Sequence, residues 1–133
     1  MYGTATSAQY ADLAELYTSD VDYEPGTVLI FDGSAEVTQS TTANDRRVAG
    51  VVSTNPAHLM NDGLVGGIAV ALTGRVPCRV VGMIKKGDLI VTSDILGVAM
   101  ANNDPKMGTV IGKALGDYNS TEVGVIEVVV GRI

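Results

Sequence analysis

Glu24-Pro25-Gly26-Thr27-Val28-Leu29-Ile30 and Lys85-Lys86-Gly87-Asp88-Leu89-Ile90-Val91 have the same layout, a turn glycine, one polar residue and three aliphatic ones, 61 positions apart. Working outward, Gly50 in Arg47-Val48-Ala49-Gly50-Val51-Val52-Ser53 is answered 62 positions later by Gly112 in Thr109-Val110-Ile111-Gly112-Lys113-Ala114-Leu115. Glycine supplies backbone conformations that other residues resist, so turn glycines at a near-constant offset mark a duplicated β unit. The units read as 24–82 and 84–133, after an arm over 1–23, within one domain of 133 residues. The expected fold is all-β: a hairpin-rich, internally duplicated β-clip or small barrel with a short N-terminal helix or arm.

Composition supports strands. Hydrophobic residues make up 46% of the chain but aromatic ones only 5%, with no Trp, so the interior must be built from Val, Ile, Leu and Ala. Those β-branched side chains suit pleated surfaces. The net charge of −6 argues against a nucleic-acid or anionic-membrane surface, which needs clustered cations. No apolar run approaches the roughly 20 residues that cross a bilayer as a helix, and no basic start leads into a signal region, so the chain reads as soluble and intracellular at synthesis. One cysteine, Cys78, and one histidine, His58, make neither an internal disulfide nor a Cys/His zinc site, and no cofactor motif is present.

Along the chain, Thr6-x-x-Gln9 has capping-box spacing, and Tyr10, Leu13, Ala14 and Tyr17 recur at the offsets of one helical face. This predicts a short amphipathic helix over about 7–17 that must dock on something. Strands are expected at 27–32 and 35–40 around Gly33, at 48–53, and at 68–73 and 75–81 on either side of Gly74. Pro77, lacking a ladder donor, predicts an edge or a bulge. The second unit adds strands at 88–92, 98–101, 109–115 and 123–130. Residues 57–67, 102–105 and 117–120 read as loops.

Several residues invite a chemical reading, each beside a plainer one. Asp12 and Glu15, three apart, would project from neighbouring helical positions and could share a proton or activate a water; a solvated helix face is the plainer reading. Ser53 in Ser53-Thr54-Asn55-Pro56 would need a base such as His58, Lys85, Lys86 or Lys113 to become a nucleophile, and turn chemistry explains it more simply. Asp20, Asp22 and Glu24 alternate and would offer oxygens to calcium, but the calcium-loop glycine is missing, so no metal is assigned. Gly63-x-x-Gly66-Gly67 lacks the Gly-Lys-Ser/Thr of a phosphate loop. Cys78, in an apolar strand, reads as a small core residue.

Ala11-Asp12-Leu13-Ala14-Glu15, Tyr23-Glu24-Pro25-Gly26-Thr27-Val28 and Val48-Ala49-Gly50-Val51-Val52-Ser53-Thr54-Asn55-Pro56-Ala57 resemble the C-terminal domains of tailed-phage fibre and neck-appendage proteins. So do Val70-Ala71-Leu72-Thr73-Gly74-Arg75-Val76-Pro77 and Lys86-Gly87-Asp88-Leu89. The resemblance implies a virion protein assembled in the host cytoplasm, a homotrimer contacting neighbouring virion proteins, with no cofactor. In related appendage proteins a similar domain acts as an intramolecular chaperone and cuts itself away through acidic residues; Asp12 and Glu15 stand at the matching positions. A weaker likeness, in size and hairpin organisation, is to trimeric capsid decoration proteins.

The expected function is therefore a phage structural module, a tail-fibre or appendage C-terminal domain that drives trimer assembly through Tyr10, Leu13, Ala14 and Tyr17. Capsid decoration and self-cleaving chaperone are the alternatives. Catalysis would be at most a single-turnover self-cleavage, and neither nucleic acid nor membrane is an expected partner. A reading frame beginning at Met1 would favour decoration, and a long upstream region a fibre.

Overall fold

The structure, a computed structural model, describes residues 12–53, 58–60, 64 and 66–131, with 58–60 described by backbone alone. All its regular elements are strands: β1 (Asp12–Thr18), β2 (Val28–Ile30), β3 (Thr38–Gln39), β4 (Val48–Val52), β5 (His58–Met60), β6 (Gly67–Ile84), β7 (Leu89–Thr92), β8 (Ala99–Ala101), β9 (Val110–Ala114) and β10 (Tyr118–Val130). The duplication read from the glycines appears as duplicated pairing. In the first unit Leu29 faces Gly50 and Ile30 faces Val48, with a bulge between; in the second Ile90 faces Gly112 and Val91 faces Val110, with the same bulge. Next along, Val51↔Ala71 and Val52↔Val70 recur as Lys113↔Val129 and Ala114↔Val128. Even the turns match, Thr27 N–H donating to Glu24 O as Asp88 N–H donates to Lys85 O.

The second unit closes on itself. Strands β6, β8, β7, β9 and β10 pair in that order and β10 returns to β6, making a five-stranded barrel. The first unit repeats the circuit through β1, β6, β4, β2 and β3, completed by the parallel bridge Ser19↔Val37. Strand β6 serves both, its first half closing one ring and its second half the other. Strand β1 is therefore the counterpart of the second half of β6. The pairs Leu16↔Ala69, Tyr17↔Ile68 and Thr18↔Gly67 reappear as Pro77↔Glu127, Cys78↔Ile126 and Arg79↔Val125.

This corrects the helix expected over 7–17 wherever the structure describes it. Residues 12–18 are extended, paired with β6 on one edge and with β5, in parallel, on the other. A helix of that length is marginal alone, whereas a strand between two partners satisfies its backbone groups at both edges. Residues 68–81 are likewise one strand rather than two: Gly74, at φ 108°, lets β6 run through its interior without ending. Residues 58–60, expected in a loop, form β5, and residues 118–120, expected in a loop, open β10. Pro77 lies in β6 between the β4 and β8 ladders, pairing only with Glu127 of β10, so its missing N–H disturbs no second ladder.

Each unit fills its ring with aliphatic side chains at equivalent positions. Leu29, Val37, Val52, Ile68 and Val70, with Tyr17 packed against them, form one core; Ile90, Ala99, Ala114 and Val128, with Cys78, belong to the other. Val28, Val51 and Ala71 of the first unit join the second cluster, so the two units share an apolar seam. At 20–33 cal/mol per Å² such burial dominates the stability of a chain with few aromatic anchors.

Candidate functional site

Strand β1 carries the acidic residues singled out in the sequence, and its period of two separates them. Asp12 and Ala14 are buried, whereas Leu13 and Glu15 alternate with them and are partly exposed. Asp12 and Glu15 thus point to opposite sides of the strand and do not form the adjacent pair that a helix would have made.

Asp12, 5% exposed, accepts a 2.6 Å hydrogen bond on Oδ2 from Ser53 Oγ, at the end of β4. Ser53 is held there by its own N–H, which donates to Ala69 O at 2.9 Å. A hydroxyl this close to a buried carboxylate is a strong, charge-assisted bond, and the same geometry lets a carboxylate withdraw a proton from a nucleophile. The partner of Ser53 is therefore Asp12. Lys85, Lys86 and Lys113, considered as bases for it, stand beside β7 and β9 in the other unit. His58 is placed opposite Leu13 in β5, one position along β1 from Asp12. No sequence spacing announces a bond across 41 residues; the β4–β6–β1 pairing creates it.

Glu15 occupies the place that Val76 holds in the second unit, where the valine is 1% exposed. A carboxylate where the repeat keeps a core valine breaks the local rule, the pattern expected at functional or strained positions. Tyr17 Oη donates to Glu15 Oε1 at 3.2 Å. Burial pushes the Tyr17 phenol above its ordinary value, and the neighbouring Glu15 and, farther off, Glu36 carboxylates add to the rise. The Tyr17 ring meets Phe31 edge to face, with centroids 5.5 Å apart.

Of the residues expected at an oligomer contact, Tyr10 lies outside the described residues. Leu13 and Tyr17 keep some accessible surface, and Ala14 is fully buried. Among the described residues, Leu13, Ala14 and Tyr17 lie on a strand and form no helical stripe.

The three alternating acids diverge as well. The chain bends at Asp20 and Val21. Asp20 accepts from Tyr23 Oη at 2.8 Å and from the Val21 N–H at 3.1 Å on Oδ1, and from Thr38 Oγ1 at 2.9 Å on Oδ2. Desolvation pushes the Asp20 carboxyl up, but these donors outweigh it and hold the group below the usual carboxylate range. Asp22 and Glu24 are exposed, and the described residues include no group of three metal-ligating side chains.

A different surface stands out on the second barrel. The β6–β10 register places Pro77, Arg79, Val81 and Met83 on one outward face with Val125 and Glu127. Met83 is 65% and Val125 61% exposed, and Val123 beside the bulge is also open. Where this face passes Arg75 and Val129 it opens into a cleft of about 550 Å³ that Lys86 and Lys113 also line. Sequence reading missed this face because its period-two alternation is that of any half-buried strand.

No protein-family model matches the chain, and no curated protein matches it.

Proposed function

We propose that the chain is a virion structural module that self-associates as a homotrimer at the end of a tail fibre or appendage. The observation that supports this best is the outward β6–β10 face. Met83, Val81, Val123 and Val125 line up on paired strands, where a barrel facing only water would alternate polar residues. The resemblance of Ala11-Asp12-Leu13-Ala14-Glu15 and the segments after it to phage appendage domains supplies the setting. The module's work is packing: its rings are filled by their own side chains, and recognition falls to the outer surface. Analytical ultracentrifugation is expected to give three times the monomer mass, and a monomer at high concentration overturns the reading. Immunogold labelling of virions distinguishes tail from capsid, the capsid outcome favouring decoration.

The Asp12–Ser53 bond supports a second reading, self-cleavage of a longer precursor. Asp12 would draw the proton from Ser53 Oγ as that oxygen attacks a neighbouring peptide carbonyl; the C–N bond then breaks, the proton passes from Asp12 to the leaving amine, and water hydrolyses the ester left on Ser53. A precursor that stays whole in the wild type refutes it; one that splits in the wild type but not as Asp12→Asn supports it.

A further inference from the structure

We propose that one rim of the first ring binds an organic cation, an ammonium group on an apolar body, at the corner made by the Tyr17 and Phe31 rings and the Glu15 and Glu36 carboxylates. The site lies on the other unit from the outward β6–β10 face and does not depend on self-association.

Comparison of the two units singles these residues out. Glu15 and Tyr17, two apart on β1 and so on one face of it, stand where the second unit has buried Val76 and Cys78. Phe31 follows Ile30 as buried Thr92 follows Val91, the equivalent residues of the two bulged pairs. Glu36 precedes buried Val37 where Gly97 precedes buried Val98. In the first unit Glu15 and Tyr17 are half-buried, Glu36 is exposed, and Phe31 keeps 46% of its surface open. Two acids and two accessible aromatic rings at positions where the repeat closes its core forgo burial that the fold would otherwise use, the pattern expected where function overrides packing.

The four departures meet in space around Tyr17. Its Oη donates to Glu15 Oε1 at 3.2 Å, its ring meets Phe31 at 70° with centroids 5.5 Å apart, and the Glu36 carboxylate is near enough to contribute to the rise of its phenol pKa. Glu36 Oε1 accepts from the Thr18 N–H at 2.8 Å and from Thr18 Oγ1 at 3.2 Å, which fixes the carboxylate without neutralising it. No ion pair among the described residues involves Glu15 or Glu36. Arg47, whose carbonyl accepts the Phe31 N–H, has its guanidinium bound to Asp32 and Asp45.

That chemistry selects the ligand. Aromatic faces and carboxylates both attract positive charge, and the open Phe31 ring adds apolar contact. An anion is repelled by the two acids, and a neutral apolar molecule gains nothing from them. A bare metal ion gains nothing from Phe31 and finds no group of three ligands among the described residues. The matching guest is an alkylammonium, supplied by a lysine side chain of a partner protein or by a small amine.

Amide 1H–15N spectra of the whole chain test this. Tetramethylammonium and n-butylammonium chlorides should shift the amides of residues 15–18, 31 and 36, saturating with a Kd of about 1–10 mM, whereas sodium chloride at equal ionic strength and uncharged tert-butanol should not. Glu15→Gln should weaken binding at least about tenfold and Phe31→Leu about threefold, while Glu122→Gln, at an exposed acid of the second unit, leaves it unchanged. Glu15→Val, the change toward the second unit, should abolish binding yet keep a urea midpoint no lower than wild type; a lower midpoint marks the acid as structural and overturns the proposal. Absence of saturable shifts, equal shifts with tert-butanol, or shifts indifferent to Glu15→Gln and Phe31→Leu also overturn it. Tighter binding of a lysine blocked at both backbone ends than of tetramethylammonium identifies a partner's lysine as the source, and the reverse order a small quaternary amine; either supports the site.

Discussion

Gly112→Ala is expected to cost about 3–4 kcal/mol of unfolding free energy, although it adds a single methyl group. A Cβ at Gly112 would overlap the carbonyl oxygen and carbon of Val129 and the Cα of Val130, all backbone of the paired strand β10. Backbone in a ladder cannot rotate aside as a side chain can, so β9 must move away along the pairs Ala114↔Val128, Lys113↔Val129 and Gly112↔Val130. Overpacking of this kind costs about 1–3 kcal/mol, and each weakened ladder hydrogen bond adds about 1. The sum is a large share of the ~5–15 kcal/mol typical of a domain. Gly50→Ala, the same position in the first unit, should behave alike: its Cβ would lie 2.7 Å from Ala71 O, at a φ of 150°. Gly116→Ala, which meets nothing within 4 Å, is the control and should stay within about 0.5 kcal/mol of wild type. Urea unfolding followed by circular dichroism reads all three, and at a slope of ~2 kcal/mol per M the two harmful changes shift the midpoint by almost 2 M. A Gly112→Ala midpoint within about 0.5 M of wild type refutes the close-approach argument.

Two further outcomes follow from charge and burial. The Asp45 carboxylate takes three hydrogen bonds from the Arg47 guanidinium and one from its N–H, which, against some desolvation, hold it below its ordinary 3.8. A depressed carboxyl stabilises the fold above its unfolded value and loses that contribution as pH falls through the folded one. Acid titration of stability should therefore show a loss below pH 3.8 that is smaller in Asp45→Asn; parallel curves would remove Asp45 from the account. The Cys78 thiol, fully buried, is pushed up to about 12 by desolvation, so Ellman's reagent should modify it only as fast as the protein opens. Rapid labelling under native conditions would contradict its place in the core.

The acidic residues show how far the sequence reading reached at the site. Asp12, Glu15 and Ser53 all stand out in the sequence, but the three-residue spacing joins Asp12 to Glu15 only as neighbours on a helix. On a strand the same spacing sends them to opposite faces, and the partner of Asp12 comes from β4 instead. The helix itself was a fair reading of Tyr10, Leu13, Ala14 and Tyr17, whose offsets suit a helical face. Nothing local shows that β6 offers an open edge of matching length. Extending the repeat upstream by the same 61 positions aligns Glu15 with Val76, so an acid at a core position of the repeat is legible in the sequence.

The amino-acid sequence alone determined that this chain is all-β, that its unit occurs twice and that its turns and close approaches fall at fixed glycines. These are matters of local backbone freedom and side-chain shape, which each residue carries with it. Only the tertiary structure decided that one 18-residue strand closes both rings, that residues 12–18 are the first strand of a ring rather than part of a helix, and that Asp12 meets Ser53. Strand pairing joins residues far apart in sequence through backbone groups that all residues share, so the choice of partner is settled by which whole arrangement buries the most and leaves the fewest edges open.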